Sequence, residues 1–227
     1  MPSKVKRVST KKADTRSDRI KRAVQEAEGR HRRQMVERWL RSIPPEYARL
    51  EYAELLDSAI RDGRVKPPQL RPIKDFVANE QPPSFILLNG PTGLGKSSLG
   101  VMMITERIRA TGESAAYRQF PRLLQEFSWP EDRDPLKSAS DPPLLFLDDV
   151  GAISDSMSSH QAKSLWSLID ARWSDPEKVT VIASNMAVQD NRNGPGLMTL
   201  FGESGWDRIA HSLSVVTFSG DSLRIER

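Results

Sequence analysis

Eight residues constrain this chain more than any other stretch of it: Gly90-Pro91-Thr92-Gly93-Leu94-Gly95-Lys96-Ser97. They read as a Gly, four residues, then Gly-Lys-Ser. Phe85-Ile86-Leu87-Leu88 before them has the look of a short buried strand. Residues 98–110 after them carry Leu99, Met102, Met103, Thr105 and Ile108 at helical spacing. A strand, a glycine turn and a helix start are what a phosphate chain requires. Successive backbone N–H groups converge on the anion, and the helix N-terminus adds a partial positive charge. Glycines let the backbone come close. Lys96 has the reach to set a point charge on β- and γ-phosphates, and Ser97 offers a hydroxyl oxygen to Mg²⁺. The predicted nucleotide contact therefore runs from Gly90 to Ser98.

A second signal lies some fifty residues on. Leu144-Leu145-Phe146-Leu147-Asp148-Asp149 places two carboxylates at the end of four apolar residues. That describes a central parallel strand with acids at its C-terminal tip, where open α/β sheets bind ligands. Asp148 is expected to hold Mg²⁺ through water, and Asp149 to orient and polarise the attacking water. Phosphoryl transfer asks for in-line positioning and charge neutralisation, so one carboxylate on the metal side and one on the water side suffice. A further apolar strand over residues 178–183 ends in Ser184-Asn185. From that tip the Asn185 amide is expected beside the γ-phosphate, holding the lytic water.

Composition narrows the setting. The chain has 227 residues, enough for one α/β domain and an appendage. It has no cysteine, which excludes disulfides, cysteine zinc sites and a thiol nucleophile and fits a reducing compartment, the cytoplasm. No apolar run approaches the roughly 18 residues of a membrane span, and the charged N-terminus is unlike a secretory signal. Charge is unevenly spread. Residues 1–41 hold 14 Lys+Arg against 5 Asp+Glu, a net of +9, and the remainder 20 against 25, a net of −5. A basic arm on a mildly acidic body suggests an anionic partner, nucleic acid or an acidic protein face, as readily as a solubilising tail.

The arm divides in two. Residues 1–16 are rich in Lys, Ser and Thr and are expected to be disordered alone. Residues 18–41 predict a helix with one apolar stripe (Ile20, Val24, Ala27, His31, Met35, Val36, Trp39, Leu40) that needs a partner surface, on this chain's own body or on another protein. Ile43-Pro44-Pro45 ends it. A second helix is predicted over 46–62 and a third over 69–79. After the glycine loop, residues 114–119 predict a strand and 121–127 a helix with proline in its first turn. Residues 128–143 are turn-rich and read as a surface connection, although Trp129, Arg133 and Lys137 are also the groups that face nucleic acid. A helix over 159–173, a helical turn over 198–201, a short helix over 204–210 carrying Arg208, a strand over 213–218 and a terminal strand over 222–225 complete the chain.

This order of parts resembles the AAA+ ATPases, and within them the DnaC/IstB-like group of helicase loaders and transposition helpers. The likeness rests on Gly90–Ser97, on Asp148-Asp149-Val150-Gly151, on Ala171-Arg172-Trp173, on Ile182-Ala183-Ser184-Asn185, and on Trp206-Asp207-Arg208-Ile209 followed by Gly220-Asp221-Ser222-Leu223-Arg224. It covers about residues 70–227, and the earlier Ile43-Pro44-Pro45-Glu46-Tyr47 also looks like the family's approach to the core. It implies a three-layer P-loop AAA+ domain with a central parallel sheet of about five strands, no C-terminal lid, and a basic helical N-terminal region in front. The implied division is a tail (1–16), a partner-binding helical region with linker (17–68) and the ATPase domain (69–227). It also implies a slow ATPase, turning ATP and water into ADP and phosphate with Mg²⁺ and stimulated by DNA or assembly. Such a protein docks a replicative DNA helicase through its N-terminal region, meets single-stranded DNA, self-associates through its ATPase faces, and has no membrane partner. By position, Asn185 is the first sensor and Arg208 the arginine finger acting on a neighbour's ATP. Some loaders carry a second arginine where this chain has Ser204, which implies either that Arg208 does the trans work here or that intersubunit stimulation is weak; Arg172 is a third candidate. A transposition-helper ATPase and a nucleotide-gated DNA-binding adaptor with weak hydrolysis are the alternatives.

Overall fold

The computed structural model describes residues 16–48, 52–129, 134–152, 157–192 and 194–223. Five strands form one sheet: β1 (Phe85–Asn89), β2 (Ala115–Gln119), β3 (Leu144–Val150), β4 (Val179–Ser184) and β5 (Leu213–Thr217). Their order is β2-β3-β4-β1-β5, and every neighbouring pair is parallel. Parallel sheets are covered on both faces, which is why β1, β3 and β4 are near-continuous apolar runs. β1 shows how the faces separate. Ile86 and Leu88 point into one buried cluster, and Phe85 and Leu87 into the other. The first cluster is closed by α1 (Arg16–Ser42), α3 (Arg71–Ala78) and α4 (Lys96–Thr111), the second by α5 (Phe120–Ser128), α7 (Ser159–Trp173), α8 (Leu197–Phe201) and α9 (Glu203–His211). The result is the expected three-layer α/β arrangement. Among the described residues no helix is long and apolar enough to cross a membrane.

Four expectations need correction. The predicted second helix begins later, as α2 (Tyr52–Arg61). The residues ahead of it form a turn in which the Tyr47 and Ala48 N–H groups donate to the Pro44 and Pro45 carbonyls. The turn-rich stretch contains a short helix, α6 (Pro135–Ser140), whose N-cap Asp134 accepts from the Lys137 N–H and whose first residue is proline. That Asp-Pro pair was a legible start signal. Trp129 is indeed exposed; Arg133 lies outside the described residues. No terminal strand forms at Ser222-Leu223. The Leu223 N–H instead donates to the Gly93 carbonyl at 2.9 Å, and 224–225 lie outside the described residues.

The fourth correction concerns α1. Its apolar stripe does not face one surface throughout. Ile20 and Val24 are 56% and 50% exposed, whereas Trp39 is 1% exposed and belongs to the same buried cluster as Ile73, Ile86 and Phe146. Met35, Val36 and Leu40 pack against that cluster. The Trp39 indole N–H donates to Thr105 Oγ1 on α4 at 2.9 Å, and His31 Nε2 lies 3.2 Å from the Gly112 carbonyl beyond α4. The second half of α1 is therefore part of the body's core. A division at residue 68 does not coincide with a break in packing.

Candidate functional site

The carboxyl ends of β1, β3 and β4 open onto a cleft of about 360 Å³. Its floor is the glycine loop. Gly90 leaves β1 with φ 143°, and a Cβ there would lie 2.3 Å from the Phe218 carbonyl oxygen, so the chain leaving β5 passes too close for any side chain. Gly95, at φ 86°, turns the loop into the N-terminus of α4. Of the predicted contacts, Thr92, Gly93, Gly95, Lys96, Ser97 and Ser98 line the cleft. Gly90, Pro91 and Leu94 shape the loop from behind: the Leu94 carbonyl accepts from the buried Arg64 guanidinium at 3.0 Å. Lys96 folds its ammonium onto the Pro91 carbonyl at 2.6 Å.

The two carboxylates reach this cleft by a backbone irregularity. β3 and β4 run in register to Leu147↔Ile182 and resume at Val150↔Ser184, so two residues of β3 oppose one of β4. Within that bulge Asp149 adopts φ 55°, a left-handed conformation uncommon outside glycine. In a regular strand consecutive side chains point to opposite faces. The bulge instead leaves Asp148 buried beneath the cleft and Asp149 exposed on its wall.

Asp148 is held on both oxygens. Oδ1 accepts from Ser97 Oγ at 2.7 Å and from the Asp149 N–H at 3.0 Å, and Oδ2 accepts from the Tyr117 hydroxyl at 3.0 Å. Burial raises its pKa above the ordinary carboxylate value, opposed first by the Ser97 hydrogen bond. Burial and the Asp148 charge likewise push the Tyr117 phenol well up, so it stays a donor. A hydroxyl and a carboxylate side by side are the hard oxygen donors Mg²⁺ takes, with phosphates and waters completing its shell. Among the described residues no cluster of three or more His, Asp or Glu is placed to hold a metal ion.

Asn185 follows β4, the strand between β3 and β1, and lines the same cleft, its Nδ2 donating to Thr92 Oγ1 at 3.3 Å. The turn that presents it is fixed by Ser184 Oγ donating to the Val150 carbonyl and Asn89 Nδ2 donating to the Met186 carbonyl, both at 2.7 Å.

The arginines separate. Arg208 is not among the residues lining this cleft. Its Nε donates to Asp170 Oδ1 at 2.7 Å, its Nη1 to the Ser204 carbonyl at 2.9 Å, and its guanidinium lies 5.0 Å from the Trp166 ring and 5.4 Å from that of Trp173. Arg172 is 1% exposed. It donates to Thr180 Oγ1 and to the carbonyls of Ala139, Ser140, Pro142, Pro143 and Val179. Burial draws its pKa down to about 9. A guanidinium saturated by its own chain's carbonyls cannot reach a neighbour's phosphate, so Arg172 is a structural cross-brace and not a finger.

Sequence reasoning assigned no site role to Glu46 and Tyr47, which the Pro44–Ala48 turn brings into the cleft. Pro44-Pro45 imitates a helix start, which hid the turn. It also missed Tyr117, whose only local hint is that a buried phenol needs a hydrogen-bond partner.

The fold compares with several solved structures. The crystal structure of DnaI matches at a TM-score of 0.63 with 21% identity, over 80% of this chain and 94% of that one. A candidate primosome component from Streptococcus pyogenes serotype M3 matches at 0.59 with 21% identity, over 81% and 93%. The DnaC helicase loader matches at 0.50 with 23% identity, over 64% and 86%. At these identities the likeness is one of fold, an α/β P-loop fold of the AAA+ kind. No curated protein sequence matches significantly. The sequence profile of the IstB-like ATP binding proteins spans residues 10–227, and the chain belongs to that ATP-binding family.

Proposed function

We propose that this protein is an ATPase of the helicase-loader type. It binds ATP with Mg²⁺ in the loop cleft and hydrolyses it slowly until DNA or assembly stimulates it. It holds a replicative helicase through its N-terminal region while the helicase is placed on single-stranded DNA. The observation that carries the ATPase reading is the bulge in β3, which sets Asp148 against Ser97 and turns Asp149 toward the same cleft that Lys96 and Asn185 line.

Roles follow from position. Loop N–H groups and the α4 N-terminus receive the phosphates, and Lys96 exchanges the Pro91 carbonyl for phosphate oxygens. Ser97 and Asp148 are the protein's oxygens for Mg²⁺, which when bound neutralises charge on the phosphates. The Asp149 carboxylate accepts a hydrogen bond from the attacking water, and the Asn185 amide holds that water from the other side. Arg208, leaving Asp170, is the residue for a neighbour's ATP. The exposed first half of α1, with the basic tail before it, is the part for the partner; a charged amphipathic helix is steered by its arginines and retained by its apolar groups. The likeness to the DnaC helicase loader supports a helicase as that partner. The family match, which takes in most of the arm, keeps a transposition-helper role as the second reading.

The test uses the full chain, immobilised with and without ATP and offered the host's replicative helicase and its transposases. ATP-dependent retention of the helicase, with turnover raised by single-stranded DNA, is expected. Retention of a transposase alone selects the second reading. Absence of any turnover, with or without DNA, refutes the ATPase.

A further inference from the structure

Tyr117 lies in the middle of edge strand β2, paired in register with Phe146, and is almost fully buried. A tyrosine there would ordinarily be core filling. Its hydroxyl is not idle, however: it is the donor to Asp148 Oδ2, while Ser97 and the Asp149 N–H take Oδ1. The ring cannot easily turn away. Phe146 packs against it at a centroid distance of 5.8 Å and Trp39 meets it edge-on at 6.5 Å. Trp39 is itself fixed by its bond to Thr105.

A carboxylate with one donor set is free to rotate about its last torsion. One with donors on both oxygens is held in a single plane. That plane decides whether the free lone pairs face the cleft beside Ser97 Oγ. Donors behind a metal-side ligand are known in general to set metal affinity by orienting it.

We propose that Tyr117 is a positioning residue for the magnesium–nucleotide site, acting through Asp148 and setting how tightly Mg²⁺ is held there. This rests on the reading of Ser97 and Asp148 as the metal side of the nucleotide cleft. Nothing in the phosphate loop or the acid pair requires a hydroxyl at position 117; only the distance to Asp148 assigns it a role.

The test is Tyr117→Phe in the full chain, which keeps the ring and removes one oxygen. Binding of a fluorescent ATP analogue is followed by anisotropy, first in EDTA and then along a Mg²⁺ titration. Affinity in EDTA should stay within about twofold. The Mg²⁺ concentration for half-maximal enhancement should rise about tenfold, the lower end of what loss of such a second-layer donor costs. In an Asp148→Asn background the same change should add nothing, because the hydroxyl works only through the carboxylate. A Mg²⁺ midpoint within twofold of wild type, or an equal effect in both backgrounds, overturns the proposal. If Asp148→Asn by itself leaves the Mg²⁺ midpoint unmoved, the metal-side reading of Asp148 fails instead, and the proposal with it.

A second measurement keeps the hydroxyl in place. The chain has three tyrosines, so incorporation of 3-fluorotyrosine gives few ¹⁹F signals, assignable through Tyr47→Phe and Tyr52→Phe. The Tyr117 signal should move when Mg²⁺ joins the nucleotide and hold still for nucleotide in EDTA. A signal indifferent to Mg²⁺ refutes the proposal even if the Phe variant does not fold.

Discussion

Trp39→Ala separates two roles for α1 that the amino-acid pattern alone left joined. The indole is 1% exposed and its N–H is satisfied by Thr105. A tryptophan buries about 200–250 Å², which at roughly 25 cal/mol per Å² is an upper value near 5–6 kcal/mol. Partial collapse of the site returns some of this. The Thr105 hydroxyl also keeps its own acceptor, the Val101 carbonyl at 2.8 Å, so no donor is stranded. The expected loss is therefore about 3–5 kcal/mol, the range for large-to-small changes in cores. At about 2–4 °C per kcal/mol for a body of this size, the melting temperature should fall by roughly 6–20 °C. Urea and thermal unfolding followed by far-UV circular dichroism give the number. Ile20→Ala or Val24→Ala, on the exposed half of the same helix, should stay within about 0.5 kcal/mol. A Trp39→Ala protein that melts like wild type yet binds its partner poorly would refute the reasoning, because it would make Trp39 a surface anchor.

Other outcomes follow from the site. Asp149→Asn should bind ATP normally and lose turnover, and because asparagine accepts the left-handed backbone at least as well, its melt should not drop; equal hydrolysis by mutant and wild type, measured as released phosphate, removes Asp149 from the chemistry. Arg208→Ala should hydrolyse poorly, and mixing it with Lys96→Ala should restore activity, since one hybrid interface pairs an intact cleft with an intact finger; a finger is worth about 10³–10⁵ in rate in other nucleotidases, and no recovery at any ratio argues against action in trans. Arg172→Ala should instead cost stability, about 3–5 kcal/mol, because it strands buried carbonyls; a normal melt combined with lost intersubunit stimulation would restore Arg172 as a finger.

What was legible in the sequence was local. The loop from Gly90 to Ser97, the apolar run ending in Asp148-Asp149 and the strand ending at Asn185 each carry their own signature within ten residues, and the sheet tips bring them to one cleft. The features that escaped depend on partners far along the chain. Tyr117 meets Asp148 across 31 positions and Trp39 meets Thr105 across 66. Periodicity showed that Trp39 lay on an apolar stripe but not which surface would cover it. Arg172 looked available because a charged residue on a helix is normally solvated; six acceptors converging from the segments around it made burial tolerable. The bulge at Asp149 left no trace in composition, as aspartate is among the few residues that accept such a backbone without glycine's help.

Helix α1 also sets where this protein can be cut and rejoined. Near its midpoint His31 ties the helix to the body, at the Gly112 carbonyl. The 15 residues from Arg16 to Arg30 span about 22 Å at 1.5 Å per residue. A chimaera that exchanges everything up to residue 30 with a relative would carry over the outer surface and leave Trp39 and Ile43 seated. One joined at residue 41 or later would import a foreign wedge into another protein's interior. Exchange of recognition between relatives therefore has a seam in mid-helix, and not at the proline turn where the segment ends.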